Sequence, residues 1–157
     1  MIECNIRRGN KSDIPAIHAL IKELAEYERA ADQVDTTIES MERDGFGPNP
    51  LFEFFVAEIN SEIVGLALYY WRYSTWKGRC LYLEDIVVRE NLRGNGLGEK
   101  LFKALAQRAK ESECSLITWQ VLDWNEPAMR FYKRLHADFD AEWVTCKLYS
   151  KDYDKLL

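Results

Sequence analysis

Six residues constrain this chain more than any others. Arg93-Gly94-Asn95-Gly96-Leu97-Gly98 stands between an apolar, strand-like run over residues 81–88 and a strongly helical run over 98–110. Glycines at a strand-to-helix junction remove the Cβ atoms that keep backbone amides apart, and the helix that follows adds the positive end of its dipole. Such a turn suits a pyrophosphate. A plain tight β-α connection is the bland alternative. The spacing narrows the nucleotide. A Walker loop needs Gly-Lys-Ser/Thr, whereas Gly98 is followed by Glu99-Lys100. A dinucleotide fingerprint needs Gly-x-Gly-x-x-Gly, with an acidic residue closing the next strand, and Asp123 comes too late for that.

The 157 residues suit one domain over 1–157, long enough to bury a core, and 47% hydrophobic residues mark it as globular. No run reaches the roughly 18 apolar residues of a membrane span, and the N-terminal residues lack a signal-peptide pattern, so a soluble, cytoplasmic protein is expected. A net charge of −5 argues against nucleic acid as a partner. Between Lys22 and Asp44 eight carboxylates face three bases, which reads either as a solvated helix surface or as a field that attracts a cationic amine. The four cysteines are scattered, and no pair has metal-knuckle or redox spacing, so no metal site is expected. His18 reads as a satisfied helix residue. His136 follows a helix whose negative end it can meet, and neither histidine is given a role.

Along the chain, residues 2–8 read as a strand. Ser12-Asp13-Ile14-Pro15 opens a helix with the stripe Ile14, Ile17, Ile21, Leu24, Ala25, and Thr36-x-x-Glu39 reads as a capping box for a second, shorter helix. Runs 52–59 and 63–73, joined at Asn60-Ser61-Glu62, form a predicted hairpin. A strand over 80–89, the glycine loop, its helix, a strand over 115–122, a helix begun by Asn125-Glu126-Pro127 and a strand over 143–150 complete the order. The result is a mixed α/β fold around a mostly antiparallel sheet flanked by helices.

Arg93, Gly96 and Gly98 fit Arg/Gln-x-x-Gly-x-Gly/Ala, which resembles the acetyl-CoA pyrophosphate loop of the GNAT N-acetyltransferase superfamily. Tyr73-Ser74-Thr75-Trp76-Lys77-Gly78, Leu81-Tyr82-Leu83-Glu84-Asp85-Ile86, Val121-Leu122-Asp123-Trp124-Asn125 and Phe131-Tyr132-Lys133 resemble its diamine branch, which includes the spermidine/spermine and thialysine acetyltransferases. The likeness spans about residues 6–143. It implies a GNAT fold whose strands splay beside the glycine loop, acetyl-CoA as co-substrate, a small amine as acceptor and a homodimer.

Glu84 and Asp85 interrupt an apolar strand, so a cleft, a salt bridge or a bulge must accommodate them. The resemblance makes Glu84 the group that binds the amine and takes its proton, with Asp85 in support. Tyr132, otherwise a core aromatic, becomes by the same likeness the acid that protonates the coenzyme A thiolate. Direct attack in a ternary complex requires no protein nucleophile. Backbone amides of Ile86, Val87 and Val88 would face the thioester. Arg93 and the amides of Gly94, Asn95, Gly96, Leu97, Gly98 and Glu99 would hold the diphosphate, and Asn125 and Pro127 would touch the pantetheine arm. For the acceptor, Tyr27, Glu28, Trp76 and Glu142 are candidates. Ser74 stands where the polyamine enzyme has an aspartate, and the Ser-Thr-Trp-Lys-Gly run is more like the thialysine enzyme. A peptide N-terminal acetyltransferase and a non-enzymatic acyl-CoA-binding module remain open alternatives.

Overall fold

The computed structural model describes residues 3–157, so Ile2, expected in the first strand, lies outside the described residues. The chain divides into two compact units, residues 1–120 and 121–157.

The first unit contains a five-stranded sheet in the order β1 (Asn5–Arg8), β2 (Glu53–Ile59), β3 (Glu62–Ser74), β4 (Gly78–Val88), β5 (Leu116–Thr118). All neighbours are antiparallel except β4 and β5, which run parallel. The β2–β3 hairpin turns at Asn60 and Ser61, both with positive φ (49° and 64°), the twist that a two-residue hairpin loop demands. Helix α1 (Ile14–Tyr27) and helix α2 (Ile38–Phe46) cover one face. There Ile14, Ile17 and Leu20 pack with Met41, Phe54, Val56, Leu66 and Leu68. Helix α3 (Leu97–Glu111) covers the other face with Leu101 and Leu105. Burial on both faces explains why Ile63 through Tyr69 is an unbroken buried run instead of an alternating one. At Gly65 the sheet and α3 approach so closely that a Cβ would stand 3.0 Å from that of Ala57 and 3.4 Å from Leu101.

Several local expectations shift. The first helix begins after a 3-10 turn (Lys11–Asp13) capped by Asn10. Its buried stripe includes Leu20 and His18, and the His18 ring nitrogen lies 2.8 Å from the Thr36 carbonyl oxygen, a satisfied histidine as read. The capping box falls one residue later than Thr36-x-x-Glu39. Thr37 accepts from the Ser40 amide at 3.1 Å, and Ser40 Oγ accepts from the Thr37 amide at 2.9 Å. Arg7 binds Asp13 and Glu58, closing β1 onto α1 and β2, and holds the Asp13 carboxyl below its usual range.

The second unit carries helix α4 (Glu126–Arg134) and a 3-10 turn (Ser150–Lys155). The strand expected over 143–150 does not form. Its composition favours β structure, but that preference is realised only against a paired edge, and here Trp143 and Val144 are 72% and 83% exposed.

Candidate active site

The glycine loop follows β4 through a 3-10 turn (Glu90–Leu92). Gly94 and Gly96 take φ of +80° and +78°, the left-handed region, with nothing within 4 Å of where a Cβ would sit. Gly96 is the N-cap of α3 and offers no side-chain cap; the first helical bond is donated by the Lys100 amide to the Gly96 carbonyl at 3.1 Å. The amides of Leu97, Gly98 and Glu99 therefore head a 15-residue helix at an open turn, a geometry that suits an anion. Asn95 Nδ2 donates to the Leu92 and Arg93 carbonyls at 3.0 and 3.3 Å and stiffens the turn. The Leu97 side chain is buried core and Glu99 pairs with Lys103, so these two residues can serve an anion only through their amides.

Arg93 does more than line the loop. Its Nε donates to the Val88 carbonyl at 3.0 Å, and its guanidinium lies 4.8 Å from the ring centre of Tyr27 at the end of α1. One predicted diphosphate ligand and one predicted acceptor residue are thus in contact.

Strand β5 pairs with β4 only at Cys80, Leu81 and Tyr82. From Leu83 to Val88 β4 continues without it, so the two strands part on the side of the glycine loop, as the splayed arrangement requires. Backbone groups of Ile86, Val87 and Val88 on that open edge have no β5 ladder to meet.

The carboxylates sit at a β-bulge. Leu83 pairs with Tyr69 and Asp85 with Leu68, so Glu84 is an extra residue with no opposite partner. This resolves how an apolar strand tolerates two successive acids. Glu84 is exposed, and its Oε2 accepts from the Tyr70 hydroxyl at 2.8 Å. Asp85 is half-buried; loss of solvent first, then the negative charges of Glu84 and Glu28, push its carboxyl up to about 6. Burial also raises Glu28, at the C-cap of α1. Glu28, Glu84 and Asp85 therefore share one negative neighbourhood, the setting in which an ammonium is welcome. Tyr70 carries no local sequence signal of this contact, because only the strand register reveals what its hydroxyl reaches.

Trp76 is elsewhere. It is 82% exposed at the tip of the β3–β4 hairpin, and Glu84 lies six residues beyond Gly78, about 20 Å along the strand. Ser74 closes that tip, its Oγ accepting from the amides of Trp76 and Lys77 at 3.2 and 3.1 Å.

In the second unit, Asn125 Oδ1 accepts from the Ala128 amide at 3.3 Å and Pro127 occupies the first turn of α4. Tyr132 is 7% exposed, its ring 5.5 Å from that of Phe131. Glu142 is exposed, and its amide donates to Asp140. Among the described residues no group of three or more His, Cys, Asp or Glu could hold a metal ion, and no helix is long and apolar enough to cross a membrane.

An anion cradle at a helix N-terminus, beside a strand edge that its neighbour abandons, is the framework of an enzyme that transfers an acyl group. The chain belongs to the acetyltransferase (GNAT) family, which matches residues 16–137, and it is an N-acetyltransferase of the diamine and thialysine branch. It is 46% identical over 140 residues to a thialysine N-epsilon-acetyltransferase of Bos taurus, covering 84% of this chain and 82% of the relative. It is 39% identical over 134 residues to the human spermidine/spermine N(1)-acetyltransferase-like protein 1, covering 81% of this chain and 19% of that longer protein. In fold it is similar to an aminoglycoside acetyltransferase from a soil metagenome, with a TM-score of 0.78, 21% identity, and 93% and 97% of the two chains covered.

Proposed function

We propose that the chain acetylates the side-chain amine of a small lysine-like amino acid such as thialysine, or a short diamine, with acetyl-CoA as donor. The observation that carries this reading is the bulged pair Glu84-Asp85, one carboxylate exposed and one sunk beside Glu28. An alkylammonium titrates near ~10.4, so its nitrogen needs a base before it can attack. In this reading Glu84 takes that proton, through water, while Asp85, Glu28 and Tyr27 hold the cation. The 46% identity to a thialysine N-epsilon-acetyltransferase favours the lysine-like acceptor over a longer polycation.

The cradle fits a diphosphate: its two left-handed glycines leave room, and its helix amides carry no side-chain cap. Arg93 and residues 94–99 would hold the coenzyme there, with Asn125 and Pro127 along its arm. When bound, it supplies an acetyl thioester. The amides of Ile86 to Val88 would polarise its carbonyl, and Tyr132 would return a proton to the departing thiolate. The four free cysteines suit a reducing cytoplasm, and a homodimer would cover exposed apolar residues such as Trp143, Val144 and Leu156.

The test is a panel of thialysine, lysine, ornithine, putrescine, spermidine and short peptides with acetyl-CoA, following thiol release. Preference for the amino acids is expected, and a preference for peptides would refute it. Tyr132→Phe should abolish most turnover while coenzyme binding persists; full turnover would remove Tyr132 from the mechanism.

A further inference from the structure

The geometry points to Tyr70 as the positioning residue that fixes the orientation of the Glu84 carboxylate. The inference rests on the reading of Glu84 as the base. A bulged residue has no partner across the ladder, so nothing in the sheet itself determines where its side chain points. Tyr70 supplies what the ladder lacks. It is the register partner of Tyr82, and the two rings stack at 5.2 Å with 27° between their planes. That stacking sets the ring of Tyr70 so that its hydroxyl reaches diagonally along β4, two residues beyond Tyr82, and donates to Glu84 Oε2 at 2.8 Å. Burial, and then the bond to Glu84, keep the phenol well above its ordinary range, so it stays protonated and remains a donor wherever the enzyme works. With one carboxylate oxygen held, the other is directed and left free for the acceptor, and the rotamer that a long, exposed glutamate would otherwise sample is selected before the amine arrives. Tyr70 itself need not touch the substrate.

The experiment is a double-mutant cycle of Tyr70→Phe and Glu84→Gln, with kcat and KM measured separately for amine and for acetyl-CoA. Phenylalanine keeps the ring stack and removes only the hydroxyl. Losing one charge-assisted bond at the base is expected to lower kcat/KM for the amine about tenfold, with KM for acetyl-CoA unchanged. In the Glu84→Gln background the same change should alter the rate less than about twofold, because Tyr70 then has no base to orient. An equal loss in both backgrounds would overturn the proposal, as would a Tyr70→Phe enzyme of full activity beside an impaired Glu84→Gln. If Glu84→Gln is itself fully active, the reading of Glu84 as base fails first, and Tyr70 loses its role with it. Should Tyr70→Phe fold poorly, Glu84→Asp provides the second arm. It keeps the charge but draws it one methylene away from the hydroxyl, and full activity in that variant would also refute the role.

Discussion

Replacing Asp85 by Asn should make the protein more stable at neutral pH, even as it weakens amine binding. The carboxyl rises from 3.8 to about 6 in the folded chain, through burial and the nearby charges of Glu84 and Glu28. At about 1.4 kcal/mol for each pH unit, the ionised group costs the fold about 3 kcal/mol at pH 7. The sign follows from proton linkage. The folded chain holds this proton more tightly than the unfolded one, so the Asp85 contribution erodes stability as pH climbs from about 4 to about 6 and is level beyond that. An amide in the same place carries no such charge. For a chain of this size, about 3 kcal/mol corresponds to roughly 6–12 °C in Tm. Urea unfolding of both proteins at about pH 4 and about pH 7.5 reads the effect of Asp85 together with the relief it gives Glu84 and Glu28, since groups not coupled to Asp85 titrate alike in the two chains. The gain should be small in acid and near its full value at the higher pH. Stability curves that run parallel across this interval would refute the reasoning.

Three further outcomes follow from backbone geometry. Thr37→Ala removes the hydroxyl that accepts from the Ser40 amide and should cost about 1 kcal/mol in denaturant unfolding, with no effect on coenzyme affinity. Gly96→Ala meets no neighbour but must hold a φ of +78°; a loss of about 1–2 kcal/mol and a raised KM for acetyl-CoA are expected, and an unchanged KM would show the turn to be uninvolved. Glu113→Gly acts in the opposite direction: φ is 54° at an exposed glutamate, and relief of that strain should stabilise the chain by about 0.5–1 kcal/mol, measured as a shift in urea midpoint.

The strongest signals in the sequence were those with local causes. The glycine turn, the hairpin at Asn60-Ser61, the Pro127 helix and the apolar stripe of α1 each follow from side chains next to one another. Helix ends were harder to read. Helices α1, α3 and α4 close through Arg29, Glu113 and His136, all in the left-handed region, each followed by a bond from the next amide to the carbonyl five residues back. A reader looks for glycine at such places and finds none. The box at Thr37-Ser40 was masked by an equally plausible threonine one position earlier. Residues 143–150 have strand composition without an edge to realise it. The bulge at Glu84 was foreseeable as a necessity, since two adjacent acids demanded some relief, but the hydroxyl of Tyr70 arrives from another strand, where no spacing rule reaches.

Arg93 fastens three elements together. Its Nε secures the last carbonyl of β4, its backbone begins the glycine turn, and its flat cation lies on the ring that ends α1. Lysine would preserve the positive charge but has neither a second nitrogen along its stem nor a planar face. An exchange that sequence scoring treats as mild would therefore unhook the tail of one helix from the threshold of another, and a homologue with lysine at this position would have to join those parts by different means.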